Sequence, residues 1–332
     1  MQTLKPLVAA ILVIISSHAM AEMNSAEVLQ SGNTNTATFE QQGSGNYGYL
    51  QQSDQDTSQA AITQNGATNS ASVYQLQGSN NEAQVTQLGD SNASTVRIGD
   101  RTINTFGSSV STYQEGTANT HDVNIHSYAY GASVTTSSIG DNNTIKNEIT
   151  GSLSGATLTQ VGNSNTINAS LESSVSANVN QTGNNNTADV SASSYRMGNN
   201  TTEVTQNGDN NQATTYLGSQ FGSLSLLQDG VGNQADIYSS GRSTTIEGVS
   251  TGNNNSVDIN QSVETASVSF EQTGDDNILA VSQQGFIGGY NADVTQIGMA
   301  NQATLTQSSE VSGASAVLSQ SGTGNIATII QR

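Results

Sequence analysis

Cysteine is absent from this chain, which removes disulfides, thiolate zinc sites, iron–sulfur clusters and cysteine nucleophiles at once. Proline occurs once, at Pro6. Basic residues are scarce: 7 Lys and Arg stand against 26 Asp and Glu, a formal net charge of -19. Such a surface repels phosphate backbones and anionic lipid, so nucleic acid is excluded as a partner. Of the 332 residues only 33% are hydrophobic, 5% aromatic and 10% charged, whereas an average globular domain is nearly half apolar and about a quarter charged. Asn, Gln, Ser, Thr and Gly fill the difference. Disorder usually accompanies proline and dense charge, yet here β-prone Val, Ile, Thr and Tyr are spread evenly along the chain, which points to extended β-structure.

Long apolar runs are missing too, apart from one near the start. Lys5 precedes the run Leu7 to Ile15, and Ala19-Met20-Ala21 follows as a small-residue cleavage site, so residues 1–21 read as a secretory signal peptide. The run is about half the ~20 residues that span a bilayer, and no later segment is apolar enough to do so. The chain is therefore expected to be secreted, with an N-terminal segment over 22–40 and a repeat region over 41–332.

That region is defined by self-similarity, the first thing to seek in such a composition. From Gly43 to Gly322 thirteen glycines recur every 21 to 27 residues. Each has Asn three residues later, as at Asn46, Asn69, Asn92, Asn277, Asn301 and Asn325. Gln stands two residues before the glycine in eleven units, among them Gln41, Gln64, Gln87, Gln272, Gln296 and Gln320, with Ser138 and Ser250 as the substitutes. Four residues after the Asn comes an aliphatic side chain such as Val73, Ile237 or Leu305, except at Asn147 and Thr215. A half-unit, Gln30-Ser31-Gly32 with Asn35 and Ala37, precedes the first and suggests that each unit is two similar arms.

Spacing inside a unit has period two, the strand period. One arm reads apolar-x-Gln-x-Gly, as in Phe270-Glu271-Gln272-Thr273-Gly274. The other reads Asn-x-Ala-x-aliphatic-x-Gln, as in Asn301 to Gln307. Gly with Asn, Asp or Ser between the arms supplies turn conformations. One such hairpin cannot stand alone in water, so neighbouring units must complete it. Stacking in register also explains inward-facing Gln and Asn, because each side-chain amide can hydrogen-bond its copies above and below. The predicted fold is all-β: a β-solenoid of about thirteen stacked strand-turn-strand repeats, with the Gln and Asn residues named above as its assembly ladder.

The units Gln64-x-Gly66-x-x-Asn69-x-Ala71-x-Val73-x-Gln75 and Gln320-x-Gly322-x-x-Asn325-x-Ala327-x-Ile329-x-Gln331 resemble the curlin repeat, and this resemblance runs through the repeat region. It implies a subunit of curli, the extracellular functional amyloid of bacterial biofilms. Its partners are then copies of itself, a nucleator subunit and an outer-membrane export pore, and its role is cell adhesion and matrix formation. The chain departs from familiar members in having more repeats and in lacking a Gly-rich export segment after the signal. The second Gln of the unit is present at Gln52, Gln75, Gln261, Gln283, Gln307 and Gln331, whereas Ile98, Ile125, Ile149, Leu171 and Leu217 replace it in the middle. Outer repeats are therefore expected to template other molecules, and the middle to be held by apolar packing.

Outward positions carry acid. Asp189, Asp236 and Asp258 are assigned as gatekeepers whose stacked charge slows assembly, and Asp122 is followed one rung later by Lys146. No cofactor, metal or catalytic residue is assigned. Only His121 and His126 follow the signal, and both read as scattered surface histidines. Gly-Asp pairs such as Gly89-Asp90 and Gly274-Asp275 lack the nonapeptide of calcium β-rolls and read as turns. Two alternatives stay open beside the fibre subunit: a monomeric β-solenoid adhesin and a curli nucleator. A β-helical polysaccharide-cleaving enzyme is disfavoured because the carboxylates are dispersed.

Overall fold

The computed structural model describes residues 11–13, 23–100, 104–126, 128–194, 198–285, 288–309 and 313–332. The expected signal peptide lies outside the described residues except for Ile11–Val13. Among the described residues every helix or strand is a strand, and no helix is long and apolar enough to cross a membrane. The predicted architecture is the observed one: a β-solenoid of about thirteen turns built from parallel stacked strands. The chain divides into two compact units, Met1–Gly162 and Asn163–Arg332.

In the first unit Ser25–Asn33, Tyr47–Asp56, Ser70–Ser79, Ala93–Ile98, Thr120–Ile125 and Thr144–Ile149 stack as one parallel sheet, here the Asn-Ala sheet. Thr36–Ser44, Gln59–Ala67, Glu82–Asp90, Ser109–Thr117, Ser133–Ile139 and Gly155–Val161 form the other, the Gln-Gly sheet. Successive strands of the chain thus alternate between sheets, which is how a short turn can connect strands that pair in parallel. Ile11–Val13 adds a short parallel strand to the outer edge of Thr36–Ser44, opposite Ala37, Thr38 and Phe39. The longer step between Gly89 and Gly116 carries Thr105–Phe106, which pairs beside Gly78 and Ser79.

The second unit repeats the scheme. Its Asn-Ala sheet runs from Thr166–Glu172 through Gln212–Ser219 and Ser256–Ser262 to Ile326–Gln331, and its Gln-Gly sheet from Val175–Thr182 through Ser223–Val231 to Ser315–Thr323. In both units the two-residue alternation sends Ala, an aliphatic residue and Gln inward and polar residues outward. In one rung Ile62, Gln64, Val73 and Gln75 are all 0% exposed. In this rung each strand buries two apolar side chains and one amide, Ala60, Ile62 and Gln64 facing Ala71, Val73 and Gln75, so amides share the interior with a small hydrophobic core.

The turn explains the invariant glycine. Gly66 has φ +134°, and a Cβ there would stand 1.9 Å from the carbonyl oxygen of Gly89 in the next rung. Any side chain would both strain the backbone and force the stacked turns apart. A second left-handed residue stands just before the Asn and need not be glycine: Thr68 has φ 56° and Ala118 φ 57°. Those residues accept conformational strain that the stacked neighbours impose.

Candidate functional site

The amide columns are the chemistry of this molecule, and each begins from a side chain placed inward by the strand period. In the Gln-Gly sheet of the first unit, Gln41 Nε2 donates to Gln64 Oε1 at 2.7 Å, Gln64 to Gln87 at 2.8 Å and Gln87 to Gln114 at 2.8 Å. The remaining N–H of Gln64 donates to the Tyr47 carbonyl of the facing arm at 3.0 Å. In the second unit Gln272 donates to Gln296 and Gln296 to Gln320, both at 2.9 Å. The Asn-Ala sheet carries its own columns, Gln30 to Gln52 to Gln75 and Gln261 to Gln283 to Gln307 to Gln331. Every step runs in one sense, from the Nε2 of one rung to the Oε1 of the rung after it.

The Asn column runs the opposite way. Asn69 donates through both its backbone N and its Nδ2 to Asn46 Oδ1, at 3.0 and 3.1 Å, and its Nδ2 also donates to the Gly89 carbonyl. Asn92 repeats the bonds on Asn69. Asn277, Asn301 and Asn325 form the corresponding series in the second unit. Each Asn thereby joins its own turn to the rungs on both sides. Asn and Gln suit the column because an amide both accepts and has two N–H donors, one for the next rung and one for a backbone carbonyl, whereas a carboxylate only accepts and a hydroxyl, as at Ser138 or Ser250, has a single donor.

Interior substitutions are handled unequally. Ile98, Ile125 and Ile149 in the first unit and Leu171 and Leu217 in the second take the second Gln position and are 0% exposed, so the column there is apolar. Asn147 and Thr215, the two departures from the aliphatic position, are buried, and their side-chain polar atoms have no hydrogen-bond partner. His121 was expected on the surface; the structure corrects this. It occupies an inward Ala position at 1% exposure. Its ring meets Ser138 Oγ at 2.7 Å and Thr136 Oγ1 at 2.9 Å, filling space that the missing Gln leaves at Ser138. Burial pushes its pKa down to about 3. The signal was available: a Gln lost and an Ala enlarged on facing arms. His126 does lie on the surface, 2.7 Å from Glu148.

The acidic positions face outward. Asp236 and Asp258 are register partners on adjacent strands. Asp189 is paired instead with Asn168, whose Nδ2 donates to its Oδ1 at 2.6 Å. Asp122 lies beside Lys146. Gly-Asp turns use the carboxylate as a cap: Asp90 Oδ1 accepts from the Ala67 backbone N, and Asp275 Oδ1 from the N and Nδ2 of Asn253. Among the described residues no group of three or more His, Cys, Asp or Glu is placed to hold a metal ion. Outward aromatics also stack between rungs, Tyr216 on Tyr238 with centroids 4.9 Å apart, a contact that the repeat pattern did not single out.

Where the rungs stop, the columns stop unfinished. Ser315–Thr323 and Ile326–Gln331 are the last strands of their sheets, each hydrogen-bonded on one side only among the described residues. Val317, Ile326 and Ile330 there are 69%, 76% and 57% exposed. At the other end Gln30 Oε1 is closed off from solvent and accepts no hydrogen bond.

A parallel β-solenoid lined by amide ladders defines the class of this protein. The family model for the curlin associated repeat matches it over residues 24–53 and 56–89, so the first rungs are curlin-type repeats. No curated protein matches the chain.

Proposed function

We propose that this protein is a secreted structural subunit of curli-like fibres, not an enzyme, and that it polymerises by adding strands end to end. The observation that carries the reading is the polarity of the ladders. Gln columns advance from donor to acceptor in one direction and Asn columns in the other, and both break off at strands with a free edge. A surface of this kind is complementary to the opposite end of another copy and not to itself, which makes a heterologous contact that does not close. Open strand edges are the feature that soluble β-proteins ordinarily cover. Exposed Val317, Ile326 and Ile330 give the same end an apolar rim. Curlin-type repeats at residues 24–53 and 56–89 support the same assignment, together with its corollaries of adhesion, biofilm matrix, a nucleator and an export pore.

The test uses the purified chain beginning at Glu22, followed by thioflavin fluorescence, sedimentation and fibre diffraction. Fibres with a meridional spacing of about 4.8 Å are expected. A chain that folds to β-structure and remains monomeric at high concentration refutes the assignment and favours the adhesin.

A further inference from the structure

Among the described residues after the expected leader, the first strand, Ser25–Asn33, and the last, Ile326–Gln331, both belong to the Asn-Ala kind of sheet, so along the stack that kind has one strand more than the other. If an incoming copy laid Ser25–Asn33 on Ile326–Gln331, the edge of Ser315–Thr323 would stay uncovered. The incoming Thr36–Ser44 would then face a missing strand. A gap one strand wide would open at every junction, with two rows of buried backbone groups unpaired.

Another register leaves no gap. One constant offset carries Ser25–Asn33, SAEVLQSGN, onto Ser315–Thr323, SAVLSQSGT, and Thr36–Gln41, TATFEQ, onto Ile326–Gln331, IATIIQ. The match extends through the turn, where Asn35 falls on Asn325 and Gly32 on Gly322, each glycine with φ +113°. Ser25–Asn33 sits in the Asn-Ala sheet of its own copy, but it carries the Gln-x-Gly signature and glycine backbone of the other arm. Inside the monomer Gln30 donates to Gln52 and Gly32 lies against the Gln55 carbonyl, but the pairing with Tyr47–Asp56 slips between Gln30 and Gly32.

We infer that successive copies join by exchanging sheets, with Ser25–Asn33 of the incoming copy extending the Gln-Gly sheet and Thr36–Ser44 extending the Asn-Ala sheet of the copy before it. This rests on the fibre reading and specifies its junction. The ladder sense agrees at each contact. Gln320 Nε2 meets Gln30 Oε1, the acceptor that is buried and unsatisfied in the monomer, and Gln331 Nε2 meets Gln41 Oε1. Asn35 already makes the onward bonds, to the Gln55 carbonyl and from the Ser58 backbone N, and gains Asn325 Oδ1 behind it. The edge of Thr36–Ser44 accepts a parallel strand in this structure, since Ile11–Val13 occupies it opposite Ala37 to Phe39. Removal of the leader frees that edge for Ile326–Gln331.

Outward positions distinguish the two registers, and the chain contains no native cysteine to interfere. Sheet exchange places Glu27 beside Val317, whereas the gapped register places it beside Thr328. Register neighbours in adjacent strands are about 4.8 Å apart, within reach of a disulfide or a very short dithiol linker. Chains carrying Glu27→Cys are mixed with chains carrying either Val317→Cys or Thr328→Cys, polymerised, oxidised and run on non-reducing gels. Covalent dimers are expected with Val317→Cys only, and a second pair, Thr38→Cys with Thr328→Cys, should cross-link as well. Fibres in which Glu27→Cys joins Thr328→Cys, or joins both partners equally, overturn sheet exchange while leaving the fibre assignment intact. Failure of the unsubstituted chain to polymerise overturns both.

Discussion

Asn233 offers the most direct measure of what an amide column contributes. It is 0% exposed, and its Nδ2 donates to Asn211 Oδ1 at 3.1 Å and to the Gly252 carbonyl at 2.9 Å. Its Oδ1 accepts from both the backbone N and the Nδ2 of Asn255, each at 3.1 Å. Asn233→Ala deletes all four bonds and opens a cavity of side-chain size. The Asn255 backbone N and the Gly252 oxygen lose this partner inside the stack, at about 1–3 kcal/mol for each buried group left unsatisfied. The local loss is therefore about 2–6 kcal/mol, and even its lower bound shifts an opening equilibrium about 30-fold. Because each rung contacts only its neighbours, the loss should be local. Hydrogen–deuterium exchange by mass spectrometry should rise over the parent chain across Gln234–Gly241 and Ser256–Ser262 and stay at the parent's rate in Glu82–Asp90, many rungs away. Gln234→Ala is the control: it removes an exposed outward side chain on the adjacent residue and should change stability by no more than about 0.5 kcal/mol. If exchange in Asn233→Ala matches that in Gln234→Ala, the amide columns are not what holds the rungs, and the ladder account of the fold fails.

Thr215→Val should stabilise the second unit by about 1 kcal/mol or more, because it replaces a buried hydroxyl without a partner by a methyl of nearly the same shape; a lower denaturation midpoint would contradict this. Asp258→Asn should shorten the thioflavin lag at neutral pH and low salt, and the difference from the parent chain should shrink as salt rises, since Asp236 and Asp258 lie side by side and exposed. An unchanged lag would remove the gatekeeper role. For His121 the folded pKa of about 3 lies below the ordinary value of 6.5. The unfolded chain therefore takes up the proton first as pH falls, so the neutral buried ring supports the fold fully above about pH 6.5 and progressively less down to about pH 3. Over that window His121→Ala should lessen the pH slope of stability by up to one proton relative to the parent chain. Equal slopes would place the ring in water.

Much of this structure was legible because a solenoid repeats its own evidence. A lone Gln64-x-Gly66 says little, but thirteen copies with Asn three residues later fix the strand period, the turn and the register together. What escaped were features belonging to pairs of arms. His121 looks like a stray polar residue on its own strand, and only the facing Ser138, with its Gln missing, marks the ring as a filler of interior space. Thr68 and Ala118 show the same limit on a smaller scale: neither residue advertises a left-handed backbone, which the hydrogen bonds of the adjacent Asn column impose.

Ser25–Asn33 shows how such pairwise information reaches beyond one molecule. Counted as a half-unit, it looks like a degenerate leftover ahead of the regular repeats. In the fold it completes the first rung, yet its Gln-x-Gly ending fits poorly against Tyr47–Asp56, where the register slips. A strand whose sequence suits one sheet while its chain position places it in the other has two neighbours to satisfy, one inside the molecule and one outside. The match to the far end runs unbroken through strand, turn and strand, from Ser25 to Gln41, and such continuity is what the inferred junction with another copy requires.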